Sequence, residues 1–154
     1  MATTQAKQMS DTTAVATELV EAFNAGDWNR LRATLHPDVV YEETGTQRRV
    51  AGADAYVRLC QGWKETFPDA RGAVQAAIAS AQQVAQEVVW EGTHRGPLPV
   101  PGGSISPSGK RINVRGSMWY TIADGRAREI HHHLDVMTLM QQVGAMPAAA
   151  AVGA

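Results

Sequence analysis

Hydrophobic periodicity changes once along this chain, and the change limits the fold class before any single residue does. Up to about residue 67 the apolar residues recur at helical spacing, whereas from Ala73 onward they alternate or run in short β-like blocks. Asp11 is placed to cap a helix whose inner face is Val15, Leu19, Ala22 and Phe23, and Asn24-Ala25-Gly26 ends it. Asp27 can cap a second helix carrying Trp28, Leu31 and Leu35, broken by His36-Pro37-Asp38. Residues 39–43 read as a strand. Gly52 and Asp54 open a third helix with Tyr56, Leu59, Cys60, Trp63 and Phe67 as its apolar stripe, stopped by Phe67-Pro68-Asp69. Strands are then expected over 74–79, 84–93, 111–122 and 126–135, with a proline- and glycine-rich loop over 95–110 and a tight turn at Asp124-Gly125.

Helices followed by successive antiparallel strands predict a single α+β domain. It would be a cone in which three N-terminal helices pack on a curved antiparallel sheet and enclose a hydrophobic pocket. The domain is expected over 11–144, between a disordered leader, 1–10, and a flexible Ala-rich tail, 145–154.

Composition narrows the function classes. A length of 154 residues supports one core, and charged residues make up only 19% against 44% hydrophobic, which suits an internal cavity or a subunit interface. An exposed sheet face would invite pairing, so a homodimer is expected. The formal net charge is −1 with scattered basic residues, so no nucleic-acid partner is expected. The single cysteine, Cys60, excludes an internal disulfide and a cysteine-based zinc site. The polar start of the chain has no apolar signal core and no run reaches the length of a membrane span, so a cytoplasmic protein without membrane contact is expected.

The chemistry concentrates in residues 126–135, which hold three of the five histidines. On a strand, Glu129, His131, His133 and Asp135 share one face, and Ile130, His132 and Leu134 share the other. If the first face lines a cavity, it is an acid/base site, with Asp135 as proton carrier and His131 and His133 holding a developing oxyanion. Asp135 is equally placed to cap a helix beginning near Val136. The His131-x-His133 pair could instead hold a metal with Asp135, Glu43 or His94, but the reading adopted has neither metal nor cofactor. Tyr41 and Glu43 share a face of the first strand. Trp63, Trp90, Trp119, Met118 and Tyr120 supply apolar wall for an aromatic or polycyclic ligand, and His94 stands at a strand end where it could reach the pocket rim.

Four stretches carry a resemblance. They are Ala22-Phe23-Asn24-Ala25-Gly26-Asp27-Trp28 with His36-Pro37-Asp38, then Phe67-Pro68-Asp69. Next come Gly92-Thr93-His94-Arg95-Gly96-Pro97-Leu98 with Pro107-Ser108-Gly109-Lys110-Arg111, and last Asp124-Gly125-Arg126 with Leu134-Asp135 and 139–144. In order and spacing the chain resembles the SnoaL-like polyketide cyclases of the nuclear transport factor 2-like superfamily, over roughly 12–144. The resemblance implies intramolecular aldol closure of a polyketide ester, with Asp135 at the family's acid/base position. Isomerase, dehydratase, epoxide hydrolase or hydroxylase chemistry in the same pocket is the alternative, and a non-catalytic ligand-binding or dimerisation module is another. The position of Glu43 is similar to that of the general base of ketosteroid isomerases.

Overall fold

The computed structural model describes residues 1–147. Helix α1 (Ala2–Ala25) buries Thr12, Ala16, Leu19, Val20 and Phe23 along one side, the i, i+3, i+4 stripe of an amphipathic helix. It ends at Gly26, whose positive φ of 66° closes the last turn at no steric cost. The helix begins nine residues before Asp11, so the expected leader is helical and Asp11 lies inside the helix instead of capping it. Helix α2 (Trp28–Ala33) is capped as expected, by Asp27 accepting from the Arg30 N–H at 3.0 Å. Expectations for residues 148–154 of the tail lie outside the described residues.

Strand β1 (Leu35–Glu43) starts four residues early, and its antiparallel partner β2 (Arg48–Ala51) was not foreseen. Helix α3 (Ala53–Thr66) follows, then strands β3 (Arg71–Ala79) and β4 (Gln83–Thr93). Two short strands, β5 (Leu98–Val100) and β6 (Gly103–Ile105), form a ribbon within the loop. Strands β7 (Arg111–Ala123) and β8 (Arg126–Leu134) and helix α4 (Val136–Val143) complete the chain. The fourth helix lies after the strands.

Six strands make one curved sheet in the order β2-β1-β8-β7-β4-β3. It is mixed, because β1 runs parallel to β8. Helix α3 and the six strands that separate β1 from β8 in sequence make that pairing possible, since parallel neighbours need a long connection. Along β4 and β7 burial alternates except at the strand ends, putting Val84, Gln86, Val88 and Trp90, and Ile112, Val114, Met118 and Tyr120, on the inner face. Phe23 of α1 meets Trp90 edge-on at 5.4 Å between ring centroids, a geometry adding about 1 kcal/mol beyond area burial. None of the helices among the described residues is long and apolar enough to cross a membrane.

Candidate active site

Two neighbouring strands build the polar centre. Strand β1 turns Val39, Tyr41 and Glu43 inward, and β8 turns Ile130, His132 and Leu134 inward. Their parallel register sets Tyr41 beside Ile130 and Glu43 beside His132. The Tyr41 hydroxyl donates to Glu43 Oε2 at 2.8 Å and stands 2.9 Å from His132 Nδ1. The Thr46 hydroxyl donates to the other carboxylate oxygen, Oε1. A carboxylate only accepts, so the single tyrosine proton goes to Glu43 and the hydroxyl oxygen accepts from Nδ1–H. The network thus assigns the imidazole proton to Nδ1 and leaves Nε2 a bare acceptor, without a partner among the described residues.

Burial pulls the His132 pKa down to about 4; the Glu43 charge opposes that shift and His133 adds to it. The imidazole is therefore neutral at neutral pH. Burial, then the Glu43 charge and hydrogen bond, hold the Tyr41 phenol well above its ordinary value, so it stays a proton donor. Cys60 lies on the same wall with its thiol pushed up to about 12 by burial, which denies it thiolate character.

These groups open on a cavity of about 490 Å³ whose wall is mostly apolar, including Leu19, Phe23, Trp63, Trp90, Leu98 and Met118. Two glycines make the room. A Cβ at Gly72 would stand 2.6 Å from the Trp90 ring, and one at Gly116 would stand 2.9 Å from His132 Nε2. Both rings lie over bare backbone.

The structure brings Tyr41, Glu43, Trp63, Trp90 and Met118 together on the cavity wall. The other expected residues are elsewhere. His131 and His133 share a face as expected, but that face is the outer one and both are exposed. His131 Nδ1 lies 3.5 Å from Glu42 Oε2, and His133 Nδ1 lies 3.0 Å from the Thr44 hydroxyl. Ile130 and Leu134 are the physical reason, since their parity claims the interior and carries His132 with it. Asp135 is exposed and caps α4, accepting from the Thr138 N–H at 3.0 Å and the Thr138 hydroxyl at 2.6 Å. Those bonds from Thr138 lower its pKa, opposite to what an acid/base working near neutrality needs. His94 is fully buried against Phe67 and bonded through Nδ1 to Ser108, where it fastens the loop. Tyr120 is packed in the core, its hydroxyl without a partner among the described residues, and Trp119, of opposite parity on β7, is exposed on the outer face of the sheet.

Sequence reasoning missed His132, and Ile130 and Leu134 on either side were the available signal. It also missed Thr46 and Arg48, which line the cavity because β2 folds back on β1, and Arg58, which reaches it from α3.

The family model of the SnoaL-like polyketide cyclases matches residues 13–143. Among solved structures, the candidate hydroxylase AclR from Streptomyces galilaeus superposes with a TM-score of 0.79 at 25% identity, covering 94% of this chain and 87% of AclR. The candidate polyketide cyclase IdmH from Streptomyces antibioticus gives 0.74 at 26% identity, covering 86% and 98%. An epoxide hydrolase of LEH-like type from M. tuberculosis gives 0.69 at 16% identity, covering 88% and 90%, a likeness of fold alone. No curated protein matches the chain by sequence. With 13–143 matched and the fold shared, the chain belongs to the SnoaL-like polyketide cyclase family.

Proposed function

We propose that this protein is a cofactor-independent acid/base enzyme that closes a ring in a hydrophobic, aromatic or polycyclic carbonyl compound by an aldol-type step. The observation that carries the reading is the buried Tyr41–Glu43–His132 network opening on an apolar cavity. Glu43 takes a proton from the carbon beside a substrate carbonyl. Tyr41 turns its hydroxyl proton to the carbonyl oxygen as enolate charge develops there. The enolate carbon then bonds to a second carbonyl carbon of the same molecule, and the new alkoxide receives the proton held by Glu43. One proton leaves carbon and one arrives on oxygen, so the step balances without an added group. His132 is a positioning residue, since its Nδ1–H holds the tyrosine oxygen.

The family membership and the likeness to IdmH support cyclase chemistry, and the likeness to AclR leaves hydroxylation as the competing reaction. We take the working form to be a cytoplasmic homodimer.

The test follows exchange of the α-hydrogens of a naphthyl β-keto ester with D2O by NMR, above the uncatalysed background. Glu43→Gln should lower the catalysed rate by about 10²–10⁴-fold while the melting temperature stays within a few degrees. Asp135→Asn should leave the rate unchanged. A Glu43→Gln protein exchanging at the native rate sinks the proposal. If no ligand is chemically altered on prolonged incubation, the binding-module alternative takes its place.

A further inference from the structure

Four charged residues stand on the cavity wall, and they are not equivalent. Both carboxylate oxygens of Glu43 are engaged by hydroxyls, from Tyr41 and Thr46. Glu65 is exposed near the C-terminal end of α3, where its carbonyl meets Gly96 at the base of the loop. Arg48 and Arg58 remain.

Arg48 is the direct antiparallel partner of Glu43. Directly opposed residues of such a pair project from the same face, so Arg48 stands on the cavity side of β2. It is half-buried, and its charge reaches far enough inward to oppose the upward shift of Tyr41. Arg58 is exposed on α3, which packs against β2 and ends on the same cavity. Other arginines pair with acids, Arg30 with Glu18, Arg32 with Asp54, and Arg49 with Glu42. Asp54, the acid closest in sequence to Arg58, is taken by Arg32, and Glu43, the acid closest to Arg48, has both oxygens engaged by hydroxyls. Among the described residues neither Arg48 nor Arg58 forms an ion pair or a side-chain hydrogen bond. Two guanidinium groups with free N–H forks thus stand where an apolar wall meets solvent, and such forks match a carboxylate.

We propose that Arg48 and Arg58 form a carboxylate-binding subsite at the cavity mouth, and that the ligand is an amphipathic acid with its apolar body inside and its carboxylate on these two residues. The inference rests on the reading that the cavity holds the substrate, and it narrows the substrate class. An acid held at the mouth is kept away from Glu43 by charge, which fixes which end of the molecule meets Tyr41 and Glu43. A neutral ester of the same shape lacks that anchor and can insert either way round.

The probes are 9-anthracenecarboxylate and its methyl ester, matched in shape and differing in charge, titrated by calorimetry at about 50 mM salt, where charge pairs are weakly screened. The acid should bind at least about tenfold more tightly than the ester, the size of effect expected of charge-assisted hydrogen bonds. Arg48→Gln and Arg58→Gln should each cost the acid about three- to tenfold, and the double variant should bind acid and ester equally, with ester affinity unchanged throughout. Equal binding of acid and ester to the native protein overturns the subsite, as does a double variant that keeps the preference. Failure of both probes to bind overturns the subsite together with its premise. Glu43→Gln separates the two claims, because it should keep the acid preference while losing α-hydrogen exchange. An acid preference in a Glu43→Gln protein that still exchanges leaves the subsite standing and removes the acid/base reading.

Discussion

His132 is neutral in the fold at a pH where a histidine in water begins to gain a proton, and a free-energy difference follows. Its folded pKa, about 4, lies below the ordinary 6.5. Between those values the unfolded chain binds a proton that the folded chain refuses. Stability should therefore be complete above about pH 6.5, fall as pH drops through the window, and level off below about pH 4, with a total loss of up to about 3 kcal/mol from this group. Urea unfolding at pH 7 and at pH 4.5 measures it, and His132→Gln should flatten the slope; an unchanged slope would assign the loss to other groups. Asp135 behaves oppositely. With its folded pKa lowered by the Thr138 bonds, the stability it contributes is present above the ordinary aspartate value and fades as pH falls through the lower folded one. Asp135→Ala should cost about 1 kcal/mol by removing the helix cap, whereas Asp135→Asn, still a good cap, should cost little. Thermal unfolding of the two variants side by side checks this, and loss of exchange activity in either would restore Asp135 to the chemistry.

At the level of elements, the strand at 126–135 was legible and its orientation was misread. Alternation assigns residues to two faces but does not say which face is inside. Four polar groups on one parity, Glu129, His131, His133 and Asp135, outweigh in number the two strongly apolar residues, Ile130 and Leu134, on the other. The polar turn after Thr44 hid β2, whose four residues are too few for a period to show, and with it went the pairing of Arg48 with Glu43. Nor could spacing reveal that His94 is bound from behind by a serine fourteen residues later. That attachment has a consequence at the loop base. A Cβ at Gly96 would lie 2.1 Å from the backbone carbonyl oxygen of Glu65, which cannot rotate away as a side chain would. Gly96→Ala should therefore destabilise the protein by about 1–3 kcal/mol through forced backbone movement. Gly102→Ala meets nothing within 4 Å but strains a positive φ of 82°, and should cost less. Chemical denaturation of both variants decides, and equal losses would mean that the contact at Gly96 is relieved elsewhere.

The switch from helical to strand-like periodicity near residue 70 specified the α+β class of the whole molecule, because a sheet with one apolar face needs helices to cover it. It did not specify the closing edge. The parallel pairing of β1 with β8 joins segments almost a hundred residues apart, and no local pattern records such a contact. Among the described residues no helix covers the middle of the sheet's other face, and that face bears on assembly. In register across it run Ile78, Ala85, Trp119 and His131, one from each of four adjacent strands. Ile78 is 77% exposed and Trp119 49%, so the row presents apolar surface to water on three of its four positions. A second copy of the chain, placing its own row against this one, would cover both at once through an isologous contact. Sedimentation velocity should accordingly give a particle of twice the 16.5 kDa chain mass. Trp119→Arg sets a charge at the centre of the row, on the sheet face opposite the cavity, and should yield monomers that still bind 9-anthracenecarboxylate. A native monomer removes the outer face as an interface. A dimer that survives Trp119→Arg places the interface elsewhere on the molecule, and monomers that lose the acid would make the cavity itself dependent on the partner.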